Sequence, residues 1–322
     1  MTEWLLDVQQ LHVHFPVKKG ILQRTHGFVR AVDDVSFHIA KGETFGLVGE
    51  SGCGKSTTGR AILHLIRPTS GQVMFAGEDL ASLPSGQMRE KRKDLQMVFQ
   101  DPFASLNPRL TIEQILEEPL KAHAIGQPDE RRQKIQEMME VCGLNSGYLK
   151  RYAHEFSGGQ RQRICIARAL ILKPRLIIAD EPVSALDVSI QSQILNLLQD
   201  LQEEFQLTYL FISHDLAVVN HISNRLGVMY LGRMAEMGAA DKIYAKPLHP
   251  YTQSLLSAIP SADPRRKKER ILLRGEVPSP ANPPTGCAFV TRCPKAMEIC
   301  KMERPLLQQI EQDHLVACHL FT

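Results

Sequence analysis

The run Gly49-Glu50-Ser51-Gly52-Cys53-Gly54-Lys55-Ser56 constrains this chain more than any other. It fits G-x-x-x-x-G-K-[ST]. An apolar, strand-like stretch, Thr44 to Val48, enters it and an amphipathic helical pattern, Lys55 to Leu65, leaves it. Strand, glycine-rich turn and helix in that order make a phosphate cradle. The glycines accept positive φ and let backbone N–H groups converge on phosphate oxygens. The helix N-terminus adds its partial positive charge. Lys55 is expected to reach β- and γ-phosphates, and Ser56 to ligate Mg²⁺. Cys53 belongs to the loop by position, with no chemistry assigned to its thiol. A chance glycine-rich turn would not carry both flanking elements.

Further apolar runs, Arg175 to Asp180 and Leu207 to Ser213, read as buried strands. Between them lie helical patterns at Glu130 to Val141, Gln160 to Leu172 and Ile190 to Phe205. Continuous apolar strands alternating with helices point to a parallel sheet covered on both faces, hence an α/β core. At 322 residues with 43% hydrophobic content, the chain can bury a sizeable core and holds one large domain plus an appendage, or two domains. A net charge of +3 gives no electrostatic case for nucleic acid. The N-terminus lacks a signal-peptide pattern, and no apolar run approaches the roughly 20 residues a membrane helix needs. The chain is expected to be soluble and to reach a membrane only by docking onto something else.

Three more features carry candidate chemistry. Asp180 ends a strand and Glu181 follows; at the carboxyl end of a parallel strand such a pair faces a nucleotide crevice. Asp180 is placed to hold Mg²⁺ and Glu181 to polarise an attacking water, against a bland reading as a helix-capping pair before Pro182. His214 ends the next strand, where an imidazole would contact the γ-phosphate or orient the water. Ser157-Gly158-Gly159-Gln160 opens the helix after Phe156 as a second anion-binding helix start. One nucleotide does not need two such starts on one chain, so this one is expected to face the phosphate of a second protomer; an ordinary capped helix is the alternative.

Taken in order, the Walker A loop, Gln100 in Val98-Phe99-Gln100-Asp101-Pro102, the Ser157–Gln160 signature, Asp180-Glu181, Ser184-Ala185-Leu186-Asp187 and His214 resemble an ABC-transporter ATP-binding subunit over roughly residues 5–240. The signature departs from the family only in Phe156, where Leu is usual. The resemblance implies that Gly49, Ser51, Gly52, Gly54, Lys55, Ser56 and Thr57 bind phosphates and Mg²⁺. It implies that Gln100 senses the metal and the attacking water and links the site to the membrane partner. Asp180 then holds Mg²⁺, Glu181 is the general base, His214 contacts the γ-phosphate, and Asp187 lies in the D-loop. Ser157, Gly158, Gly159 and Gln160 close over ATP on the opposite protomer. An aromatic residue stacks on adenine: Phe15 by position, with His26 and Phe28 as substitutes because Pro16 to Gly27 looks inserted.

The tail narrows the resemblance. His249-Pro250-Tyr251-Thr252, Gly275-Glu276-Val277-Pro278-Ser279-Pro280 and Pro283-Pro284-Thr285-Gly286-Cys287 are similar to the oligopeptide/dipeptide permease ATPases, as is Ser105-Leu106-Asn107-Pro108-Arg109. Cys287, Cys293, Cys300 and Cys318 are separated by five, six and seventeen residues. Disulfides are not expected in a cytosolic chain, and four thiolates in a short segment suit zinc or an iron–sulfur cluster. These spacings are wider than the usual zinc knuckle, and Pro294 after Cys293 is similar to the Cys-Pro of ferredoxin ligation. The resemblance implies a 4Fe-4S cluster of structural role, with Zn²⁺ as the alternative and unligated thiols third. Cys142 and Cys165 read as buried small apolar residues. Arg161 and Arg163 read as surface or interprotomer residues, His249 as a turn cap, and Arg265 to Arg270 as a solvated linker.

The expected fold is a P-loop NTPase ABC core with an N-terminal antiparallel β subdomain, a helical signature subdomain (about 101–172) and a small Cys-rich extension. The nucleotide-binding domain is expected at 1–238 and the extension at 239–322. The implied function is ATP hydrolysis powering peptide import. The implied partners are a second, related ATPase chain, two transmembrane permease subunits and an extracytoplasmic peptide-binding protein, with the chain peripheral on the cytoplasmic face of the bacterial inner membrane. Two rivals are an ABC ATPase acting on nucleic acid or ribosomes, which usually has tandem cassettes or a coiled coil, and a redox sensor built on the four cysteines.

Overall fold

A computed structural model describes residues 4–20, 24–259, 270–273 and 275–321. The expected linker at Arg265 to Arg270 lies, apart from Arg270, outside the described residues. The chain forms two compact units, residues 1–81 with 213–322, and residues 82–212.

The first unit opens with β1 (Trp4–Lys19) and β2 (Arg24–Ala40), an antiparallel pair running from Trp4↔Ala40 to Lys19↔Arg24. Alternation along β2 puts Val32, Val35, Phe37 and Ile39 inside. Of the stretch expected as an insertion, Pro16 to Lys19 and Arg24 to Gly27 lie at the paired far ends of β1 and β2. β3 (Thr44–Val48) is buried at every position and leads through the glycine loop into α1 (Lys55–Ile62). β4 (Ser70–Phe75) and β5 (Glu78–Asp79) follow. They complete an antiparallel sheet of order β2-β1-β4-β5.

The second unit contains α2 (Ser85–Lys91), β6 (Leu95–Val98), α3 (Pro102–Ser105), α4 (Ile112–Ala122), α5 (Pro128–Val141), α6 (Gly158–Leu170), β7 (Leu176–Asp180), α7 (Val188–Phe205) and β8 (Thr208–Ser213). β6, β7 and β8 are parallel, with Val98↔Ala179 and Asp180↔Ile212 in register. β7 and β8 are buried throughout, which is why they read as unbroken apolar runs. On α7, Ile194, Leu195, Leu197, Leu198 and Leu201 form a buried stripe at helical spacing. Each stabilises the fold by about 2 kcal/mol.

The chain then returns to the first unit with α8 (Leu216–Ile222), β9 (Arg225–Tyr230), β10 (Arg233–Ala239), α9 (Ala240–Ala245), α10 (Pro250–Ser257), α11 (Ile299–Met302), β11 (Gln308–Glu311) and β12 (His314–Val316). β9 lies parallel to β3 and antiparallel to β10, and β12 pairs antiparallel with β10. The tail is therefore an extension of the β10 edge, with a small core of Leu248, Val316 and Cys318.

One carboxylate anchors that edge. Glu236 is fully buried in β10, accepts the N–H groups of Leu248 (2.7 Å) and His249 (2.9 Å), and lies 2.7 Å from His314 Nε2. Truncating one partner of such a buried pair costs about 3–5 kcal/mol. A charged residue in the apolar run Arg233–Ala239 is the sequence signal for it.

Candidate functional site

In the first unit, Gly49 and Gly54 bracket a loop that no side chain could share. A Cβ on Gly54 (φ +108°) would lie 2.1 Å from the Ala31 carbonyl oxygen; one on Gly49 would lie 2.2 Å from that of Met229. Gly54 also starts α1 without a side-chain cap. Lys55 is 4% exposed, and its ammonium donates to the carbonyls of Gly49 (2.8 Å) and Glu50 (3.0 Å). The same group lies 3.8 Å from Cys53 Sγ. Burial pushes the Cys53 thiol up, partly opposed by Lys55, so it stays protonated within the loop. Ser51 and Gly52 are exposed, while Ser56 and Thr57 are half-buried at the start of α1. His214 is exposed in the turn after β8, where Asp215 caps α8 by accepting from Ala217 and Val218 N–H.

Phe15 and Phe28 lie on paired strands, at Phe15↔Val29 and Pro16↔Phe28. Neighbouring positions alternate between faces, so the two rings stand on opposite faces of the hairpin. They are 39% and 49% exposed, and His26 is exposed on β2.

In the second unit, Asp180 is fully buried at the end of β7, and Glu181 is 8% exposed. Glu181 adopts φ +49°, a left-handed conformation that costs a non-glycine residue about 1 kcal/mol or more. Its N–H donates to the Ile212 carbonyl (2.8 Å), and its Oε2 accepts from Gln100 Nε2 (2.7 Å). The structure thus brings together two residues 81 positions apart.

Ser157 caps α6 in a reciprocal box: its Oγ accepts from Gln160 N–H (3.4 Å), and Gln160 Oε1 accepts from Ser157 N–H (3.1 Å). Ser157 is exposed. Gly159 is buried, and a Cβ there would lie 2.6 Å from Ile190 Cγ2, so this glycine serves helix packing. Asp187 and its neighbours Ser184, Ala185 and Val188 are exposed, Val188 at 78%. Arg161 differs from the surface role expected. It is 9% exposed, donates to the carbonyls of Ala153 (2.7 Å) and His154 (3.0 Å), and stacks 3.8 Å over Phe103. Arg163 donates to the Cys142 carbonyl (2.8 Å). Cys142 and Cys165 are buried, and burial raises Cys142 to about 12.

The four tail thiols share one neighbourhood. Cys287 N–H donates to the Cys300 carbonyl (2.8 Å). Burial, opposed by the Phe289 N–H and reinforced by the nearby Cys300, Cys318 and Cys293, raises Cys287 to about 11. Cys293 and Cys318 are raised likewise by burial, each with Cys300 among its neighbours. Their soft sulfur chemistry suits iron or zinc. Among the described residues, however, no three His, Cys, Asp or Glu side chains approach closely enough to hold a metal ion.

Residues 32–184 match the family model described as ABC transporter, and residues 235–300 match that described as oligopeptide/dipeptide transporter, C-terminal region. The chain is 56% identical over 99% of its length to 98% of the oligopeptide transport ATP-binding protein AppF of Bacillus subtilis (strain 168). The chain belongs to the ABC-transporter ATP-binding proteins. A second relative is the putative peptide import ATP-binding protein BOV_A0347 of Brucella ovis, 54% identical over 99% of the chain and 98% of the relative. Among solved structures, the ATP-binding cassette MJ0796, dimeric in a post-hydrolysis state bound to ADP and Pi, matches with TM-score 0.65 and 29% identity. That likeness covers 73% of this chain and 98% of the cassette. cbiO1 from Clostridium perfringens, part of the ABC transporter complex cbiONQ, matches with TM-score 0.64 and 26% identity over 76% and 92%.

Two partners of the loop were not foreseen: Tyr251, whose hydroxyl accepts from Glu50 N–H (2.8 Å), and Arg292, which grips the Glu50 carboxylate. The sequence signal for them is an acidic residue, Glu50, inside the glycine loop beside Lys55, which calls for a counter-charge.

Proposed function

We propose that this chain is the ATP-hydrolysing subunit of a peptide importer. The observation that carries the reading is the Gln100–Glu181 hydrogen bond of 2.7 Å at the end of a buried strand, in a chain that also holds a glycine cradle with a buried lysine. Gly49, Ser51, Gly52, Cys53, Gly54, Lys55, Ser56 and Thr57 take up the phosphates, chiefly through backbone N–H groups, with Lys55 leaving the loop carbonyls for the β- and γ-oxygens. Ser56, Gln100 and Asp180 offer the oxygen donors that Mg²⁺ takes. When bound, Mg²⁺ neutralises charge on the terminal phosphates. Glu181 accepts the proton of the attacking water, Gln100 holds that carboxylate in place, and His214 contacts the γ-phosphate.

The exposed Ser157 turn and Asp187 face a second ATPase chain, and Ser157, Gly158, Gly159 and Gln160 close over the nucleotide bound by that chain. That chain is related to this one but distinct. Two permease subunits and an extracytoplasmic peptide-binding protein complete the assembly. Among the described residues no helix is long and apolar enough to cross a membrane, in keeping with a peripheral subunit docked on the permeases. ATP drives transport only by binding one arrangement of the assembly better than the other. On the tail, Cys287, Cys293, Cys300 and Cys318 would be the thiolate ligands of a 4Fe-4S cluster, a reading supported by their soft sulfur chemistry.

The test is peptide uptake into vesicles holding the whole assembly. Uptake is expected to require Mg·ATP and to vanish with Glu181→Gln in this chain. Uptake that persists with that variant would remove this subunit's hydrolysis from the transport cycle. Iron and sulfide analysis of anaerobically purified chain is expected to find four of each (about, per chain). Zinc or empty thiols in their place would overturn the cluster.

A further inference from the structure

Glu50 places a carboxylate inside a loop whose task, in the proposal above, is to take up a polyanion. Its three polar groups are all engaged. The N–H donates to Tyr251 Oη (2.8 Å), the carbonyl accepts from Lys55 Nζ (3.0 Å), and the carboxylate is held by Arg292. The Arg292 grip is a bidentate fork, Nη1 to Oε2 at 2.6 Å and Nη2 to Oε1 at 3.0 Å. The Arg292 side chain is 8% exposed and that of Glu50 27% exposed, so solvent screens the pair only in part.

The arginine is itself fixed. It lies one residue before Cys293 in the Cys-rich tail, and its N–H donates to the Phe289 carbonyl (3.0 Å). Phe289 is buried and packs edge-on against Tyr230 (5.2 Å between centroids) and tilted against Tyr251 (5.3 Å). Tyr230 and Tyr251 meet at 4.7 Å. This aromatic bed ties the tail and α10 to one residue of the phosphate loop.

We propose that Arg292 is a positioning residue for nucleotide binding. It neutralises Glu50 and turns the carboxylate away from the phosphates, so that the C-terminal extension sets the loop's affinity for Mg·ATP. Without the fork, Glu50 is left as an unpaired negative charge beside the incoming phosphates. Repulsion of that kind is repaired by removing the charge, whereas loss of a mere structural bolt is not. The inference rests on the nucleotide reading of the loop.

The experiment measures Mg·ATP binding to the purified full-length chain by calorimetry, for wild type, Arg292→Gln, Glu50→Gln and the double variant. A nucleotide-free melting curve is taken for each. Arg292→Gln is expected to weaken binding about tenfold, and the double variant to return to within about threefold of wild type. Glu50→Gln alone is expected to bind at least as well as wild type. In the hydrolysing assembly, Arg292→Gln is expected to raise KM for ATP while kcat stays within about twofold. If Arg292→Gln is unfolded, Arg292→Lys is read in the same way, with an intermediate loss rescued by Glu50→Gln. Unchanged binding by Arg292→Gln overturns the inference, and so does a double variant as weak as the single one. A wild-type chain that binds no Mg·ATP overturns the nucleotide reading and this inference with it.

Discussion

Gln100 holds Glu181 by a 2.7 Å hydrogen bond from its side-chain amide to the carboxylate. The carboxylate belongs to a residue in left-handed backbone, so two constraints, one backbone and one side-chain, aim it. Glu181→Gln removes the carboxylate proposed as proton acceptor while keeping size and polarity. It is expected to lower steady-state phosphate release by roughly 10²–10⁴-fold and to trap ATP in a stable dimer. Gln100→Ala leaves the acceptor unaimed and is expected to cost about tenfold, with the melting temperature within about 2 °C of wild type. Equal losses from the two variants would contradict the division of roles.

Gly54→Ala combines a forbidden backbone angle with a Cβ placed 2.1 Å from the Ala31 carbonyl. Since neither party is a flexible side chain, the loop itself must move. The variant is expected to lose at least about 2 kcal/mol of stability, and to lose the rise in melting temperature that Mg·ATP gives the wild type. Calorimetric scans with and without nucleotide report both.

Phe15 and Phe28 stand on opposite faces of the β1–β2 hairpin, so only one can stack on a given adenine. Phe15→Ala is expected to weaken ATP binding by about 1–3 kcal/mol, the worth of one base on one ring, while Phe28→Ala leaves it unchanged. GTP competition measured alongside would lose its discrimination only in the first variant. The reverse pattern would assign the role to Phe28.

His249 is 3% exposed, and its Nδ1 accepts the N–H of Tyr251 (3.0 Å) at the start of α10. Burial lowers it from 6.5 to about 4, against a smaller opposing pull from Glu236. Between those values the unfolded chain binds a proton that the folded chain refuses. Stability from this group is therefore full above pH 6.5 and falls as the pH drops towards 4, by up to about 3 kcal/mol. His249→Asn keeps a capping acceptor but does not titrate. Its urea midpoint is expected to fall less steeply over that range than that of the wild type.

Strands β3, β7 and β8, the glycine loop and the helix that leaves it were legible because each depends on neighbours in sequence. Thr44 to Val48 carries no charge and is buried at every position because both faces of β3 are covered, and the loop's glycines follow at once. The helix patterns at Glu130, Gln160 and Ile190 were also correct, with boundaries off by two residues at most at their N-termini. The burial of Arg161 was not legible, because a guanidinium reads as exposed until the Ala153 and His154 carbonyls and a Phe103 ring are brought to it.

By itself, then, the sequence determined the phosphate cradle, the α/β order of elements, the Asp180-Glu181 pair and the cap of α6, all of which arise from residues within a few positions of each other. Only the tertiary structure decided that Gln100 meets Glu181, that Glu236 meets His314, and that Arg292 grips Glu50 across 242 positions. Charges and amides lose hydration on burial, and only a well-placed partner offsets that loss. Which two are brought together is set by how the strands pair and the tail folds back, and no local pattern in the chain records it.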